Sequence, residues 1–389
     1  MSKDFDVVVY GASGFTGRLV AEYMAKRYGV GGDVRWAMAG RNVDKLAAVR
    51  AEIGAPENTP LVVADASDAA SVKAMVEQTH CVLTTVGPYQ LYGSDLVAAC
   101  AEAGTDYVDL CGEPAWMRQM IDAHESTAKE TGARIVFSCG FDSIPFDLGV
   151  LFLENNAQAT FGTALPRARG RVKTMKGGLS GGTAASFKAT MAAAGQDPNV
   201  LEYLRNPFSL SGGFSGPKQP SGAKPLHEED LGSWSAPFIM ASINTKNIHR
   251  SNMLMGHPYG EDFIYDEMMF TGPGEQGEQI ANHVANTKQI GNENDPKPGE
   301  GPSKEERETG HYEVLFFGND DNGHQLSISV GGDKDPGYGS TSKMIAESAV
   351  CIVKDCADTP GGIYTPAPAM GSALINRLEE NAGLTFKVL

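Results

Sequence analysis

Four consecutive apolar residues, Val7, Val8, Val9 and Tyr10, run straight into Gly11, and glycine recurs at Gly14 and Gly17 before the spacing becomes helical at Leu19, Val20, Tyr23 and Met24. A short unbroken apolar run reads as a strand buried on both faces. When it enters a helix through spaced glycines, the first glycine turns the chain, the second lets the backbone approach a pyrophosphate, and the third lets the helix lie against the sheet. The helix's first amides and partial positive charge then face the anion. The alternation continues. Residues 34–39 read as a second strand closed by Gly40, Arg41 and Asn42, with Asn42 placed to cap a helix that runs to about Ile53; 61–64 is a third strand, followed by Asp65, Ser67, Asp68 and a helix through Val76; 81–86 is a fourth. A helix at 95–103, a strand at 107–110, a helix at 116–131 and a strand at 134–138 complete six strands. This pattern predicts an α/β fold with an N-terminal doubly wound parallel sheet of Rossmann type.

Beyond Gly140 the alternation breaks down. Residues 168–176 and 263–271 read as strands and 183–194 as a helix, while 311–318 and 324–331 form a hairpin in which Leu326, Ile328 and Val330 mark a sheet with one buried face. Two stretches rich in Gly, Pro, Ser, Glu and Lys, 206–232 and 291–310, have no period and read as loops or lids. Residues 340–357 are an amphipathic helix with Ser340 or Thr341 as its cap. The organisation expected is residues 1–145 plus about 336–389 as a nucleotide-binding domain to which C-terminal helices return. Residues 146–335 are then an inserted α+β domain for substrate binding and dimerisation.

A chain of 389 residues exceeds one ordinary core, in keeping with two domains. Its net charge of −16 and pI near 4.9 argue against nucleic acid and against anionic membranes, both of which demand a positive surface. A small-molecule substrate fits better, with a homodimer and peripheral membrane contact left open. Six cysteines lie singly, mostly in apolar runs, as reduced buried thiols do, which points to the cytoplasm. The first strand leaves no room ahead of it for a signal peptide, and the longest apolar stretch, 148–153, is far too short to span a bilayer. The histidines are dispersed and no metal-ligand spacing occurs, so no metal is expected.

Candidate chemistry gathers at the strand ends. Gly11, Ser13, Gly14, Phe15, Thr16 and Gly17 would hold the pyrophosphate. At the end of the second strand an acid would bind the ribose 2′-hydroxyl of NAD; this chain has Arg41 and no acid between Trp36 and Asn42, which favours the 2′-phosphate of NADP(H) over an arginine that merely caps a surface helix. Asp65 stands where an adenine contact or a helix cap belongs. Val86, Gly87 and Pro88 would floor the nicotinamide pocket, and Tyr89 and Tyr92 offer phenols for proton donation or for a packed aromatic turn. The fifth strand ends near Asp109 and Glu113, the sixth in Asp142, Ser143 and Asp147. Together they suggest the rim of a cofactor cleft, with Tyr89, Tyr92, Asp142 and Ser143 as catalytic candidates. Arg167, Arg169, Arg171 and Lys173 fall at period two, hence on one face of a strand, either as a solvated face or along the path of an anionic substrate. A second glycine-rich helix entry, 177–186, could bind an anion or only permit close packing.

These segments, G-A-S-G-F-T-G-R-L-V-A-E-Y, V-G-P-Y-Q-L-Y-G, Y-V-D-L-C-G-E-P, G-F-D-S-I-P-F-D-L-G, S-G-G-T-A-A-S, G-E-G-P-S-K-E-E-R and D-P-G-Y-G-S-T-S-K-M among them, resemble the saccharopine dehydrogenase-like oxidoreductases over nearly the whole chain. The likeness is greatest to the branch with bacterial trans-acting enoyl reductases. The resemblance implies NADPH as donor and reduction of an enoyl thioester, free or carrier-linked, in lipid or polyketide-type metabolism. Imine reduction of the saccharopine type, and NADP binding without turnover, are the other readings.

Overall fold

The computed structural model describes residues 3–178, 180–297 and 299–389. Its strands are β1 (Phe5–Tyr10), β2 (Trp36–Gly40), β3 (Leu61–Val63), β4 (Thr79–Thr84), β5 (Asp106–Val108), β6 (Arg134–Val136), β7 (Arg167–Lys176), β8 (Leu226–Glu228), β9 (Ser233–Pro237), β10 (Ile264–Gly272), β11 (His311–Asn319), β12 (Gln325–Gly332), β13 (Gly362–Tyr364) and β14 (Leu384–Val388). They form two seven-stranded sheets. The first is parallel throughout, in the order β13-β6-β5-β4-β1-β2-β3. Val7, Val8 and Val9 are fully buried at its centre, as helices on both faces require of an unbroken apolar strand. The order reverses direction between β1 and β4, and the glycine turn after β1 lies at that switch point.

The second sheet, β14-β12-β11-β7-β10-β9-β8, is mixed: β7 and β10 run parallel and the other neighbours antiparallel. Two helices that the periodicity did not reveal lie against it, Ile144–Phe161 and Ala241–Leu254. At Gly149 a side chain would meet the Phe316 ring of β11 at 2.5 Å, so helix and sheet touch closely there. The segments expected to be irregular carry short elements too: β8 within 206–232 and the helix Lys304–Thr309 within 291–310. Three or six residues are too few to show a period.

The C-terminal part serves both sheets. The helix Thr341–Lys354 packs on β1, β4, β5 and the helix Phe15–Tyr28. Its buried Glu347 accepts hydrogen bonds from Tyr23 (2.6 Å) and Tyr28 (2.7 Å) and pairs with Arg377 at 3.2 Å. β13 extends the first sheet beside β6, but β14 pairs with β12. Leu384–Val388 thus departs from the expected return of 336–389 to the nucleotide domain. All six cysteines are free and buried, and among the described residues no helix is long and apolar enough to cross a membrane.

The cations of the β7 stripe are paired within the protein, the arginines wholly or partly buried and Lys173 exposed. Arg167 pairs with Asp266, Arg169 with Glu228 and Asp230, Arg171 with Glu228 and Asp266, and Lys173 with Glu313. Period two placed the cations correctly on one face. Their partners come from β8, β10, β11 and the turn after β8, out of reach of a local pattern.

Candidate active site

The cradle has the close contacts that its glycine spacing demands. Gly11 has φ +91°, and a side chain there would meet Thr85 Oγ1 and Val86 Cγ2, each at 2.8 Å. A side chain on Gly17 would lie 2.1 Å from the Gly11 carbonyl oxygen. Helix, turn and β4 edge are therefore packed onto one another through missing side chains. At Gly14 the only neighbour within 4 Å among the described residues is the Gly11 oxygen at 3.3 Å, so this position faces open space. That combination, two filled glycine slots and one open, fits a dinucleotide pyrophosphate lying against the helix start. Ser13 points toward the end of β2, its Oγ 3.6 Å from where a Gly40 side chain would begin, and Thr16 is half-buried in the first turn.

Arg41 follows Gly40 on that edge. It is exposed and makes no ion pair or side-chain hydrogen bond among the described residues. Asn42 does the capping instead, accepting the Lys45 amide at 2.9 Å, which leaves Arg41 available to an anion. Asp65 accepts hydrogen bonds from Ser67 N (3.0 Å) and Oγ (2.9 Å), and these, with nearby Arg41, hold its carboxyl below the usual range. Asp68 caps the following helix through the Ala70 amide, so Asp65 shapes the turn that flanks Arg41.

Several polar residues of the later strand ends prove structural. The Tyr89 hydroxyl is buried, accepting from the Leu110 amide (3.0 Å) and donating to the Thr84 carbonyl (3.3 Å), which corrects its reading as a proton donor. Glu113 accepts the amides of Tyr89 (3.0 Å) and Gln90 (2.8 Å). Asp109 accepts from Tyr107, Cys111 and Ser138, and Asp147 from Ser251 and the Ala367 amide. Val86, Gly87 and Pro88 stay at the cleft edge, half-buried or exposed, whereas Tyr92 lies 51% exposed on the outer rim. Ser143 is fully buried and its Oγ accepts from Asn247 at 2.8 Å.

Asp142 is different. Half-buried where the loop after β6 meets the second domain, its carboxyl accepts no hydrogen bond from the described residues, and burial pushes it up to about 7. Its charge reaches Glu267 of β10, which burial raises to about 8 against the hydrogen bonds that Asn244 (2.9 Å) and Tyr265 (3.0 Å) donate. It also reaches Tyr338, whose hydroxyl lies 3.0 Å from Thr183 Oγ1 and whose ring packs edge-on against Phe15 at 5.3 Å. The buried Oδ1 atoms of Asn244 and Asn247 have no donor among the described residues. Glu267, Asn244 and Tyr338 were not singled out from the sequence. They sit on elements more than a hundred residues away from the strand ends, and Tyr338 within D-P-G-Y-G-S carried the only signal. The helix Gly181–Gln196 is tied to the turn after β4: Ser180 caps it by accepting the Gly182 amide, and Thr190 accepts from Gln90 at 3.1 Å. Leu179 of that glycine-rich entry lies outside the described residues.

A family model described as the saccharopine dehydrogenase NADP binding domain matches residues 7–136, the span of β1 to β6. A Mycobacterium tuberculosis protein provisionally named a trans-acting enoyl reductase is 39% identical over 97% of this chain and 96% of its own length. The trans-acting enoyl reductases of Mycobacterium bovis and Mycobacterium ulcerans are each 36% identical, also over 97% of this chain and 96% of their own. The saccharopine dehydrogenase (L-Glu forming) of Saccharomyces cerevisiae shares the fold, with a TM-score of 0.54 at 12% identity, over 99% of this chain and 100% of that one. The chain belongs to the saccharopine dehydrogenase-like oxidoreductases, in the branch of the trans-acting enoyl reductases.

Proposed function

We propose that the protein is an NADPH-dependent enoyl reductase acting on an acyl thioester, free or carrier-linked. The observation that carries this reading is Asp142: a carboxyl without donors, half-buried at the domain junction and pushed up to about 7, is poised to give a proton near neutral pH. NADPH, held by Gly11, Gly14, Gly17 and Arg41, would supply the hydride for the β-carbon of the unsaturated thioester. Asp142 then protonates the α-carbon, which adds the second hydrogen and leaves Asp142 as a carboxylate for solvent to reprotonate. The hydroxyls of Tyr338 and Thr183, 3.0 Å apart, would steady the enolate oxygen as it gains charge. Tyr92 and Leu91, both exposed shortly after β4, would meet an entering acyl chain. A substrate with several carboxylates would need free arginines there, and the cations of the β7 stripe are all paired within the protein. Homodimerisation and peripheral membrane contact remain part of the proposal only as arrangements compatible with this chemistry.

The test is NADPH oxidation with a panel of enoyl thioesters beside lysine plus 2-oxoglutarate. Turnover of the former alone supports the proposal; turnover of the latter replaces it with imine reduction, and none on either favours binding without catalysis. Arg41→Ala is expected to weaken NADPH about tenfold or more with little change for NADH, since only NADPH carries the 2′-phosphate, a charge-assisted contact. Fluorescence titration with both dinucleotides measures it, and equal weakening would move Arg41 off the 2′-phosphate.

A further inference from the structure

Phe15, the first residue of the helix after the cradle, lies beneath a segment of the second domain. A side chain on Gly301 would meet the Phe15 ring at 2.5 Å, so glycine there admits the segment onto the ring. The Glu300 carbonyl accepts the Gly181 amide at 3.1 Å, and the Arg307 carbonyl accepts the Asp335 amide at 3.1 Å, fixing the segment at both ends. The helix Lys304–Thr309 is set by a capping box, Ser303 Oγ accepting the Glu306 amide (3.2 Å) and Glu306 accepting the Ser303 amide (2.8 Å). Two guanidinium groups then flank Phe15: Arg18 at 5.9 Å and Arg307 at 5.6 Å from the ring centroid. Their electrostatic situations differ. Arg18 is paired with Glu52 at 2.9 Å, whereas Arg307 has no carboxylate within ion-pair distance among the described residues and donates only to the Pro302 carbonyl at 2.5 Å.

In a chain of net charge −16, Arg307 feels the charge of Asp335, whose carboxyl oxygens accept the Tyr338 and Gly339 amides, but no carboxylate lies within ion-pair distance of it among the described residues, which leaves its fork free for an anion beside the cradle. We propose that Arg307 is a pyrophosphate ligand delivered by the second domain, so that the dinucleotide is held from both domains and ties the 299–309 segment to Phe15. The inference rests on the NADP cradle and adds a residue to it. It also gives the G-E-G-P-S-K-E-E-R motif work: Gly301 permits the approach, Ser303 and Glu306 orient the turn, and Arg307 brings the charge.

Because the pyrophosphate is common to both dinucleotides, Arg307→Gln is expected to raise the Kd of NADPH and of NADH by the same factor, about tenfold for one lost charge-assisted hydrogen bond. Arg307→Lys, which keeps the charge but not the fork, should raise both about threefold or less. In hydrogen exchange, NADPH should protect 299–309 in the unsubstituted protein and fail to do so in Arg307→Gln at matched occupancy of the cradle. Unchanged affinity in Arg307→Gln, or weakening confined to NADPH, overturns the assignment, the latter by placing Arg307 at the 2′-phosphate. If Arg307→Gln fails to fold, as circular dichroism would show, the Lys variant and the protection of 299–309 decide. Absence of any dinucleotide binding by the unsubstituted protein overturns the cradle itself and Arg307 with it, a failure distinct from that of Arg307 alone.

Discussion

Asp142→Asn is expected to lower kcat by two to four orders of magnitude, the range that a positioned general acid contributes, while leaving the Kd of NADPH unchanged. Asparagine has the shape of the carboxyl but no acidic proton, and no hydrogen bond donated by the described residues is lost. The same substitution should make the protein more stable at pH 8. The sign follows from linkage: the folded-state pKa is about 7, above the unfolded value of about 3.9, so ionisation opposes folding, a penalty absent below about pH 4 and complete above about pH 7. A residue whose removal costs activity and adds stability is one retained for chemistry. In the unsubstituted enzyme kcat should fall as pH rises through about 7, where the acid is lost; Asp142 and Glu267 feel each other's charge, so the limb belongs to the pair. Steady-state rates and thermal unfolding at pH 6 and 8 check both. A variant with wild-type turnover, or one that melts earlier at pH 8, removes Asp142 from the site.

The parts of this site that were legible in the sequence are those whose requirements are local. Gly17 is a glycine because a side chain would strike the Gly11 carbonyl, a contact a strand–turn–helix cannot avoid, and Gly11 turns the same chain at φ +91°, so spacing alone reveals both. Arg41 stands at a fixed offset from its strand. The illegible parts depend on distant partners. The helix Ile144–Phe161 is buried on nearly every side for its first three turns, against the second sheet and the helices Ala241–Leu254 and Pro366–Arg377, and a helix without a polar face shows no period. Ala241–Leu254 hides for the opposite reason: Asn244, Lys246, Asn247, His249, Arg250, Ser251 and Asn252 read as a solvated surface and are all buried. Lys246 is satisfied by the carbonyls of Leu204 and Ser242 (2.9 Å each), and burial pushes it down to about 8. Arg250 donates to the carbonyls of Leu210 and Ile363 (2.6 Å each). Tyr89 shows the same limit at a single residue. Its position by the cleft was readable, but the Thr84 and Leu110 backbone groups that occupy its hydroxyl were not.

The second large effect is structural and lies on β7. Arg171→Met is expected to destabilise the protein by about 3–5 kcal/mol, the usual cost of removing one member from a buried ion-pair cluster. Arg171 has no exposed surface and uses its whole fork: Nε to Glu228 (2.6 Å), Nη2 to Glu228 and Asp266 (2.9 Å each), and Nη1 to the carbonyls of Gly170 (2.8 Å) and Asp266 (3.2 Å). Methionine fills much of the volume but leaves two buried carboxylates facing each other's charge, with Arg167 and Arg169 as their remaining counter-ions. The loss should therefore come from the orphaned acids more than from the missing cation. Adding Glu228→Gln and Asp266→Asn to Arg171→Met should recover a large part of it, because amides carry no charge to strand. By contrast Lys173→Met, at the exposed end of the same stripe beside Glu313, should cost no more than about 1 kcal/mol. Urea midpoints of the four proteins decide the matter: Arg171→Met within about 1 kcal/mol of the unsubstituted chain, or no recovery in the triple variant, would mean that packing and not charge compensation sets the value of Arg171. Since Asp266 is followed directly by Glu267, a β10 strand loosened by Arg171→Met should also loosen the carboxyl that faces Asp142. The catalytic pH limb would then shift in Arg171→Met and return in the triple variant, linking the ion-pair face of the second sheet to the chemistry on its opposite face.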